Sequence, residues 1–155
     1  MPWLLSGMLL GALAVTLVCL ISARFAAPSG IVDAGSYEEF REAGEFPPVL
    51  FERDEFYITR DENGEPKALY VYPPPAQVHN RPDCAVLWQL PMPDGTRMDT
   101  LRDRCYGATF TRDGAWISGP SSRPLDQFRV QVKDGRLLVD VRHLICTGPG
   151  PCKKL

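Results

Sequence analysis

The chain has 155 residues and a formal net charge of -2 at pH 7. This slightly acidic balance argues against nucleic acid as a partner, because a phosphate-binding domain usually carries a basic face. Once an apolar N-terminal stretch is set aside, about 130 residues remain, enough for one domain with a single core. The 13 Gly and 15 Pro residues are spread among short apolar runs, which favours turn-rich β structure over disorder.

The N-terminal stretch from Trp3 to Ile21 is apolar and carries no charge. Its length matches the roughly 20 residues that cross the hydrocarbon core of a bilayer, so we predict a transmembrane anchor over residues 3–24. A cleaved signal peptide, with Ile21-Ser22-Ala23 as the cleavage site, is the alternative. The lack of Lys or Arg before the run, together with its length, disfavours cleavage. The first charge, Arg24, follows the span and gives almost no orientation signal.

Residues 25–48 predict a linker followed by a short helical turn. Ser36 and Glu39 have the spacing of a capping box, in which an N-cap Ser is followed three residues later by Glu. Pro47-Pro48 ends the turn, because proline cannot continue a helix.

Residues 49–145 predict an all-β domain of antiparallel sheets, since short strands alternate with turn signals at regular spacing. The clearest turn is Glu62-Asn63-Gly64, because Asn-Gly supplies the positive φ values of a tight hairpin. Further turns are predicted at Pro93-Asp94-Gly95, Asp113-Gly114 and Asp134-Gly135. The predicted strands are Val49–Arg60, Ala68–Tyr72, Ala85–Leu90, Cys105–Phe110, Trp116–Ile117, Phe128–Val132 and Leu137–Val141.

The five cysteines indicate an oxidising compartment. Cys19 lies in the apolar run and is predicted to be a buried thiol, and the other four form an even set without a C-x-x-C pair, which argues against a zinc ribbon. Two disulfides fit better and place the domain on the extracytoplasmic side of the membrane. Residues 146–155 form a Cys/Gly/Pro tail. A local Cys146–Cys152 disulfide is predicted there, with two free thiols as the alternative.

Four fragments follow one another in the second half of the chain. They read CAVLW at 84–88, YGATF at 106–110, GPSSRPL at 119–125 and DGRLLV at 134–139. In this order and with these gaps they resemble the Rieske iron–sulfur domain of cytochrome bc-type quinol oxidoreductases. The resemblance covers residues 49–141 and implies a Rieske-like antiparallel sandwich with a cluster-binding-type subdomain over about residues 72–125. The apolar N-terminal stretch is similar to the membrane anchor of the family's iron–sulfur subunits.

The resemblance also implies a structural disulfide. In the family, two loops hold a [2Fe–2S] cluster, and a disulfide joins one loop to the other. Cys84 and Cys105 stand at the disulfide positions, which favours a disulfide over metal thiolates there. The segment with Gly119, Pro120 and Pro124 corresponds to the family's third loop beside the cluster.

All four positions that correspond to cluster ligands carry other residues. The first loop has His79 in place of Cys and Arg81 in place of His, and the second has Asp103 and Tyr106. A Rieske cluster needs two thiolates and two imidazoles. Arg81 cannot ligate because its guanidinium stays protonated, and Asp103 and Tyr106 offer hard oxygen donors. We hypothesise an Arg81–Asp103 ion pair across the site; two separately solvated side chains are the alternative.

These residues predict a membrane-anchored Rieske-like protein that has lost its cluster, with no resident cofactor, metal ion or catalytic residue. Its role would be that of a structural, assembly or binding subunit of a membrane electron-transfer complex. The alternative is a working [2Fe–2S] electron carrier, an oxidoreductase subunit acting between a quinol and a cytochrome. A weaker alternative is a mononuclear metal site formed by His79, Asp103 and reduced Cys84 and Cys105. No hydrolase or nucleotide-binding pattern occurs.

Overall fold

The computed structural model describes residues 30–44, 47–89, 99–150 and 152–155. The predicted anchor over residues 3–24 and the predicted turn at residues 93–95 lie outside these ranges. Within them, the helices are too short to cross a bilayer. The elements in chain order are β1 (Ile31–Ser36), α1 (Tyr37–Glu42), β2 (Val49–Phe51), β3 (Phe56–Arg60), β4 (Pro66–Tyr70), α2 (Pro74–Val78), β5 (Val86–Gln89), β6 (Thr100–Asp103), β7 (Thr109–Thr111), β8 (Trp116–Ser118), β9 (Gln127–Lys133) and β10 (Arg136–Ile145).

The described strands form two antiparallel sheets, so the all-β prediction is confirmed. One sheet has six strands in the order β1-β10-β9-β4-β3-β2, and the other has four in the order β5-β6-β7-β8. The four-stranded sheet and its loops occupy the part of the chain between β4 and β9. This is the region for which the resemblance implies a cluster-binding-type subdomain.

Local turn chemistry explains the predicted hairpins of the larger sheet. Between β3 and β4, Gly64 has a φ of 84°, and the Asp61 carboxylate accepts the backbone N–H groups of Asn63 and Glu65 at 2.9 Å each. Between β9 and β10, Asp134 and Gly135 have φ values of 51° and 72°. Two consecutive positive φ values match the right-handed twist of the flanking strands.

The structure differs from the predicted strands at several places. Residues 31–36, which belong to the region predicted as linker and helical turn, form the unpredicted strand β1, in which Val32 lies opposite Val139 of β10. The predicted strand Val49–Arg60 is interrupted by a 3₁₀ turn at Glu52–Asp54 that ends on Glu55 with a φ of 61°. The strand β6 was not predicted, and the predicted strand Cys105–Phe110 begins only at Thr109, where β7 starts. The capping box is confirmed, because the Ser36 hydroxyl accepts the Glu39 N–H at the start of α1.

A single hydrophobic core continues from one sheet to the other. In the six-stranded sheet, the Phe128 ring meets the edges of Tyr70 at 5.4 Å and Phe56 at 6.3 Å, measured between ring centroids. At the junction, Gly114 approaches Leu69 so closely that an added Cβ would lie 2.8 Å from Leu69 Cδ2. The two sheets therefore pack against each other at this junction.

Candidate functional site

The Cys84–Cys105 disulfide joins the two loops that resemble the cluster-binding loops. The two Cα atoms are 5.5 Å apart, and the pair lies just beyond the end of the β5–β6 ladder, where Val86 is opposite Asp103. Cys84 is fully buried, whereas Cys105 is exposed. The disulfide implied by the resemblance is thus present, and it ties the two loops together where they leave the sheet.

The first loop, which carries His79 and Arg81, is closed by backbone hydrogen bonds. The Arg81 N–H donates to the Ala76 carbonyl at 2.9 Å, and the Cys84 N–H donates to the Arg81 carbonyl at 3.2 Å. Between them, Asn80 has a φ of 52°, a left-handed conformation that Asn tolerates better than most residues. These bonds fix the backbone on both sides of Arg81.

Arg81 forms an ion pair with Asp83, two residues further along the same loop. Its Nε and Nη2 atoms donate to the two carboxylate oxygens at 2.9 and 2.6 Å. The Arg81 hydrogen bond lowers the pKa of Asp83 to about 2. The hypothesised Arg81–Asp103 ion pair is therefore wrong, because a carboxylate much closer in sequence takes the guanidinium.

Asp103 is buried at the end of β6. Its Oδ1 atom accepts the Cys105 N–H at 2.8 Å, and its main chain bonds to Ala108 and Gly107 at 2.8 and 3.1 Å, which closes the second loop. The side chain is 0% exposed, and its Oδ2 atom has no hydrogen-bond partner. The alternative of a solvated Asp103 is therefore wrong as well.

His79 and Tyr106 bring together two of the positions that correspond to cluster ligands in the resembling family. Their rings stack across the two loops, with centroids 5.6 Å apart and an interplanar angle of 27°. His79 is exposed and Tyr106 is half-buried. Of the four positions, His79 and Tyr106 therefore meet at the loop tips. The Arg81 side chain pairs with the exposed Asp83, and the Asp103 side chain is buried.

The third loop packs directly on the second through Gly119. The φ of Gly119 is 90°, and a Cβ atom there would lie 2.7 Å from Ala108 Cα and 2.8 Å from the Gly107 carbonyl oxygen. Only glycine satisfies both the positive φ and this close backbone approach. The contact sets the distance between the two loops.

Gly119→Ala is expected to destabilise the protein by about 2 kcal/mol, because the methyl group would push the third loop off the second. Gly64→Ala is the matched control: its φ is 84°, but nothing lies within 4 Å of an added Cβ. Urea denaturation of the two variants separates the steric contact from the backbone strain. Equal losses of stability would show that the loop contact contributes nothing.

A cleft lies over the stacked rings of His79 and Tyr106. Its volume is about 370 Å³, within the usual range of small-ligand sites. The third loop forms one wall, α2 forms another, and the C-terminal tail closes one end. The lining residues are Pro74, Pro75, Val78, His79, Tyr106, Pro120, Ser121, Ser122, Arg123, Pro149 and Gly150.

A buried ion pair anchors the third loop to the tail. Arg123 and Asp126 have side chains that are 7% and 0% exposed, and they are joined by two hydrogen bonds at 2.5 and 3.1 Å. The same carboxylate accepts the Gln77 amide at 2.8 Å and the Thr147 N–H at 2.9 Å. Sequence reasoning missed this network; an Arg and an Asp three residues apart are visible in the sequence, but their burial is not.

The tail is held to the domain at several points. Cys146 and Cys152 are joined by a disulfide, the pairing predicted from their spacing around a Gly/Pro turn. Beyond it, the Lys153 N–H donates to Gln77 Oε1 at 3.0 Å, and the Leu155 N–H donates to the Tyr70 hydroxyl at 2.6 Å. The predicted tail therefore closes the cleft rather than trailing from the domain.

The described residues do not assemble the mononuclear metal site weighed above. In the part of the chain that the structure describes, the grouping with suitable ligand atoms consists of Asp83, Cys84 and Cys105, whose atoms lie within 4.8 Å of one another. Neither His79 nor Asp103 belongs to it. Both sulfurs are already joined in the disulfide, so this grouping offers no thiolate.

Comparison with known proteins places the chain beside iron–sulfur subunits. No family model matches. Over 43 residues the chain is 42% identical to the cytochrome b6-f complex iron-sulfur subunit of Chlorobaculum tepidum, a match that covers 28% of this chain and 24% of that relative. Over this stretch the chain is similar in sequence to a Rieske-type iron–sulfur subunit. It thus matches about a quarter of the length of the curated relative.

A solved structure gives a second comparison. The plasma membrane Rieske protein PetC3 of the cyanobacterium Synechocystis PCC 6803 is 23% identical, with a TM-score of 0.45. The alignment covers 70% of this chain and 97% of the cyanobacterial chain. The Rieske resemblance is thus supported by a sequence relative, and the function must be argued from the loops themselves.

Proposed function

We propose that this Rieske homologue has lost its [2Fe–2S] cluster and serves as a structural, assembly or binding subunit of a membrane electron-transfer complex. The observation that carries the proposal is the donor set at the four former ligand positions. A Rieske cluster takes two Cys thiolates on one iron and two His imidazoles on the other. Here the four positions offer one imidazole, a guanidinium, a carboxylate and a phenol, which do not fit the cluster.

The contacts of these side chains reinforce the mismatch. The Arg81 guanidinium, which has no free electron pair for a metal, is held by Asp83. Asp103 turns one oxygen onto the Cys105 N–H. His79 is the remaining nitrogen donor among the four, and its ring stacks on Tyr106. The two cysteines of the loops form a disulfide, so they supply no thiolates in place of the missing ligands.

The loops are nevertheless held in a defined shape. The disulfide ties their bases, Gly119 seats the third loop on the second, and the Arg123–Asp126 pair fixes the third loop to the tail. A scaffold of this kind keeps its surface without a metal ion. Such a surface suits a protein whose work is to contact other subunits.

Two observations support a complex as the setting. The relative from Chlorobaculum tepidum is named as a subunit of the cytochrome b6-f complex. The apolar N-terminal stretch of this chain has the length of a membrane anchor. We propose that the chain is held in a membrane by this anchor, with its domain on the extracytoplasmic side, where the two disulfides are stable.

The alternative function is that of a working electron carrier with a [2Fe–2S] cluster. The sequence identity to an iron–sulfur subunit favours it. The donor chemistry at all four positions opposes it, because neither loop supplies the thiolate and imidazole pair of the cluster.

Iron and acid-labile sulfide in the full-length chain, purified anaerobically, test the loss of the cluster. We expect less than a tenth of the stoichiometric iron, and no electron paramagnetic resonance signal of a reduced cluster after dithionite. A variant with His79→Cys, Arg81→His, Asp103→Cys and Tyr106→His restores the family's donors and is the positive control. Stoichiometric iron with a cluster signal in the unmodified chain would make it an electron carrier.

The role in a complex is tested separately. The full-length chain is purified from its native membrane in a mild detergent, and the absorption of haem in the preparation is recorded. Co-purifying cytochromes are expected. A chain that elutes free of other membrane subunits would contradict the subunit role while leaving the loss of the cluster intact.

A further inference from the structure

Gly30 is the residue at which the described chain enters the domain, just before β1. Its carbonyl accepts the Val141 N–H at 2.9 Å, which fixes this entry point on β10. The predicted anchor ends at residue 24. Because an extended chain advances by at most about 3.5 Å per residue, Gly30 lies within about 20 Å of the end of the anchor. An anchor in the membrane therefore keeps the surface around Gly30 close to the lipid headgroups.

Two cationic side chains lie against this entry point. The Arg142 side chain packs over Gly30, where an added Cβ atom would overlap with Arg142 Cγ. The Lys154 ammonium donates to the Val141 carbonyl at 3.0 Å, so it reaches the same residue of β10 that binds Gly30. His143, next to Arg142 on β10, is 81% exposed. We call Arg142, His143 and Lys154 the basic edge of the domain.

The donors and the charge of the basic edge suit a phosphate group. Arg142 Nε and Nη2 donate to the Asp140 carboxylate at 2.8 and 2.7 Å, which occupies only part of the five N–H groups of a guanidinium. The Lys154 ammonium has three N–H groups, one of which binds the Val141 carbonyl. Asp140 balances one of the two permanent positive charges, so a net positive charge remains at this edge of a chain whose overall charge is -2. Arginine and lysine are the side chains that proteins use to bind phosphate oxygens.

We propose that the basic edge contacts the anionic phospholipid headgroups of the membrane in which the anchor lies. This contact rests on the membrane attachment proposed above and gives the domain a second point of contact with the bilayer. A few cations attract an anionic membrane only weakly. The anchor already holds the domain at the membrane surface, however, so the second contact is intramolecular and a weak attraction is sufficient to orient the domain.

The tail connects the basic edge to the cleft. Lys153, the residue before Lys154, donates its N–H to Gln77 Oε1 at 3.0 Å and its ammonium to Asn80 Oδ1 at 3.2 Å. Gln77 belongs to α2, which forms a wall of the cleft, and Asn80 follows His79 in the first loop. One residue of the tail thus binds the cleft wall, and the next belongs to the basic edge. Lipid contact at this edge is expected to hold the cleft beside the membrane surface, where it can meet membrane-embedded subunits.

Acetylation of lysines by sulfo-N-hydroxysuccinimide acetate, measured by peptide mass spectrometry, tests the contact. The full-length chain is reconstituted in vesicles of phosphatidylcholine and in vesicles that also contain about one third phosphatidylglycerol. Lys133 is the internal reference, because it is exposed at the far end of the β9–β10 hairpin, opposite Arg136. We expect phosphatidylglycerol to lower the acetylation rate of Lys154 relative to Lys133 at least fivefold. The ratio should recover at about 1 M salt, which screens charges beyond about 3 Å. An unchanged ratio would overturn the proposal.

Arg142→Glu reverses one charge of the basic edge and leaves both lysines in place. It is expected to reduce the protection of Lys154 by phosphatidylglycerol to less than twofold. Arg53→Glu is the matched control, because it makes the same change at an exposed arginine between β2 and β3, at the opposite edge of the six-stranded sheet. Its protection of Lys154 should stay at least fivefold. Equal protection in the two variants would show that the basic edge does not make the contact.

Retention in the vesicles separates this proposal from the proposed function. If the chain stays in the vesicles after an alkaline carbonate wash but the Lys154 ratio does not change, the anchor is supported and only the lipid contact is wrong. If the chain is released, the anchor is wrong and the lipid contact is wrong with it, whereas the loss of the cluster is still decided by the iron measurement. Protection of Lys154 in native membranes but not in phosphatidylglycerol vesicles would assign the basic edge to a protein subunit and would overturn the proposal.

Discussion

Asp126→Ala is expected to lower the free energy of unfolding by about 3–5 kcal/mol, the usual cost of removing one partner from a buried ion pair. The Asp126 carboxylate is completely buried and binds the Arg123 guanidinium twice. It also accepts the Gln77 amide and the Thr147 N–H. The substitution therefore withdraws one acceptor from three elements, the third loop, α2 and the tail.

Chemical denaturation with urea measures this loss, and Asp33→Ala is the matched control. Asp33 also binds an arginine, Arg136, through its carboxylate, but both side chains are about half exposed, at 43% and 50%. Water screens such surface pairs, and they contribute about 1 kcal/mol or less. If both variants lost the same stability, burial of the Arg123–Asp126 pair would not matter.

Removal of the Cys84–Cys105 cross-link, by Cys84→Ala together with Cys105→Ala, is expected to cost about 3 kcal/mol. The reason is the larger number of conformations that the unfolded chain gains when residues 21 apart in sequence are no longer joined. A domain of this size has about 5–15 kcal/mol of stability. The protein should therefore stay folded at room temperature.

The second disulfide provides the comparison for this experiment. Cys146 and Cys152 are six residues apart, so the loop that they close is shorter. The same entropy argument gives about 2 kcal/mol for Cys146→Ala with Cys152→Ala. Urea midpoints of the two double variants, analysed with their m-values, give the order. A smaller loss at Cys84–Cys105 would show that the loops hold their places without the cross-link.

The parts of the fold that depend on neighbouring residues could be predicted. The turn at Asp134-Gly135 and the N-cap at Ser36 are decided within a few residues, and both are found. The strand β1 depends instead on partners more than 100 residues away, such as Val139 opposite Val32. Its short, mixed sequence carries no signal of that pairing. The central strand β6, which includes Arg102 and Asp103, could not be predicted for a similar reason.

In the candidate site, too, some features could be predicted from the sequence and others depend on the folded chain. The Cys84–Cys105 pair was implied by the order of sequence fragments around it. The contact of Arg81 was predicted wrongly, because the comparison of loops put it opposite Asp103 while Asp83 lies two residues away. The burial of Asp103 depends on the closed second loop above it, which only the folded backbone reveals.

The chain leaves the six-stranded sheet to form the four-stranded sheet and returns to it at the same place. Strands β4 and β9 are neighbours, with Ala68 opposite Phe128, and the Tyr70 N–H bonds to the Asp126 carbonyl at 2.8 Å. More than 50 residues of chain lie between these contacts, yet their two ends are adjacent. Substitutions at the tips of this inserted unit therefore leave the strand register of its host sheet unchanged. The residues of such an insertion can change during evolution, and with them its chemistry, while the six-stranded sheet stays the same.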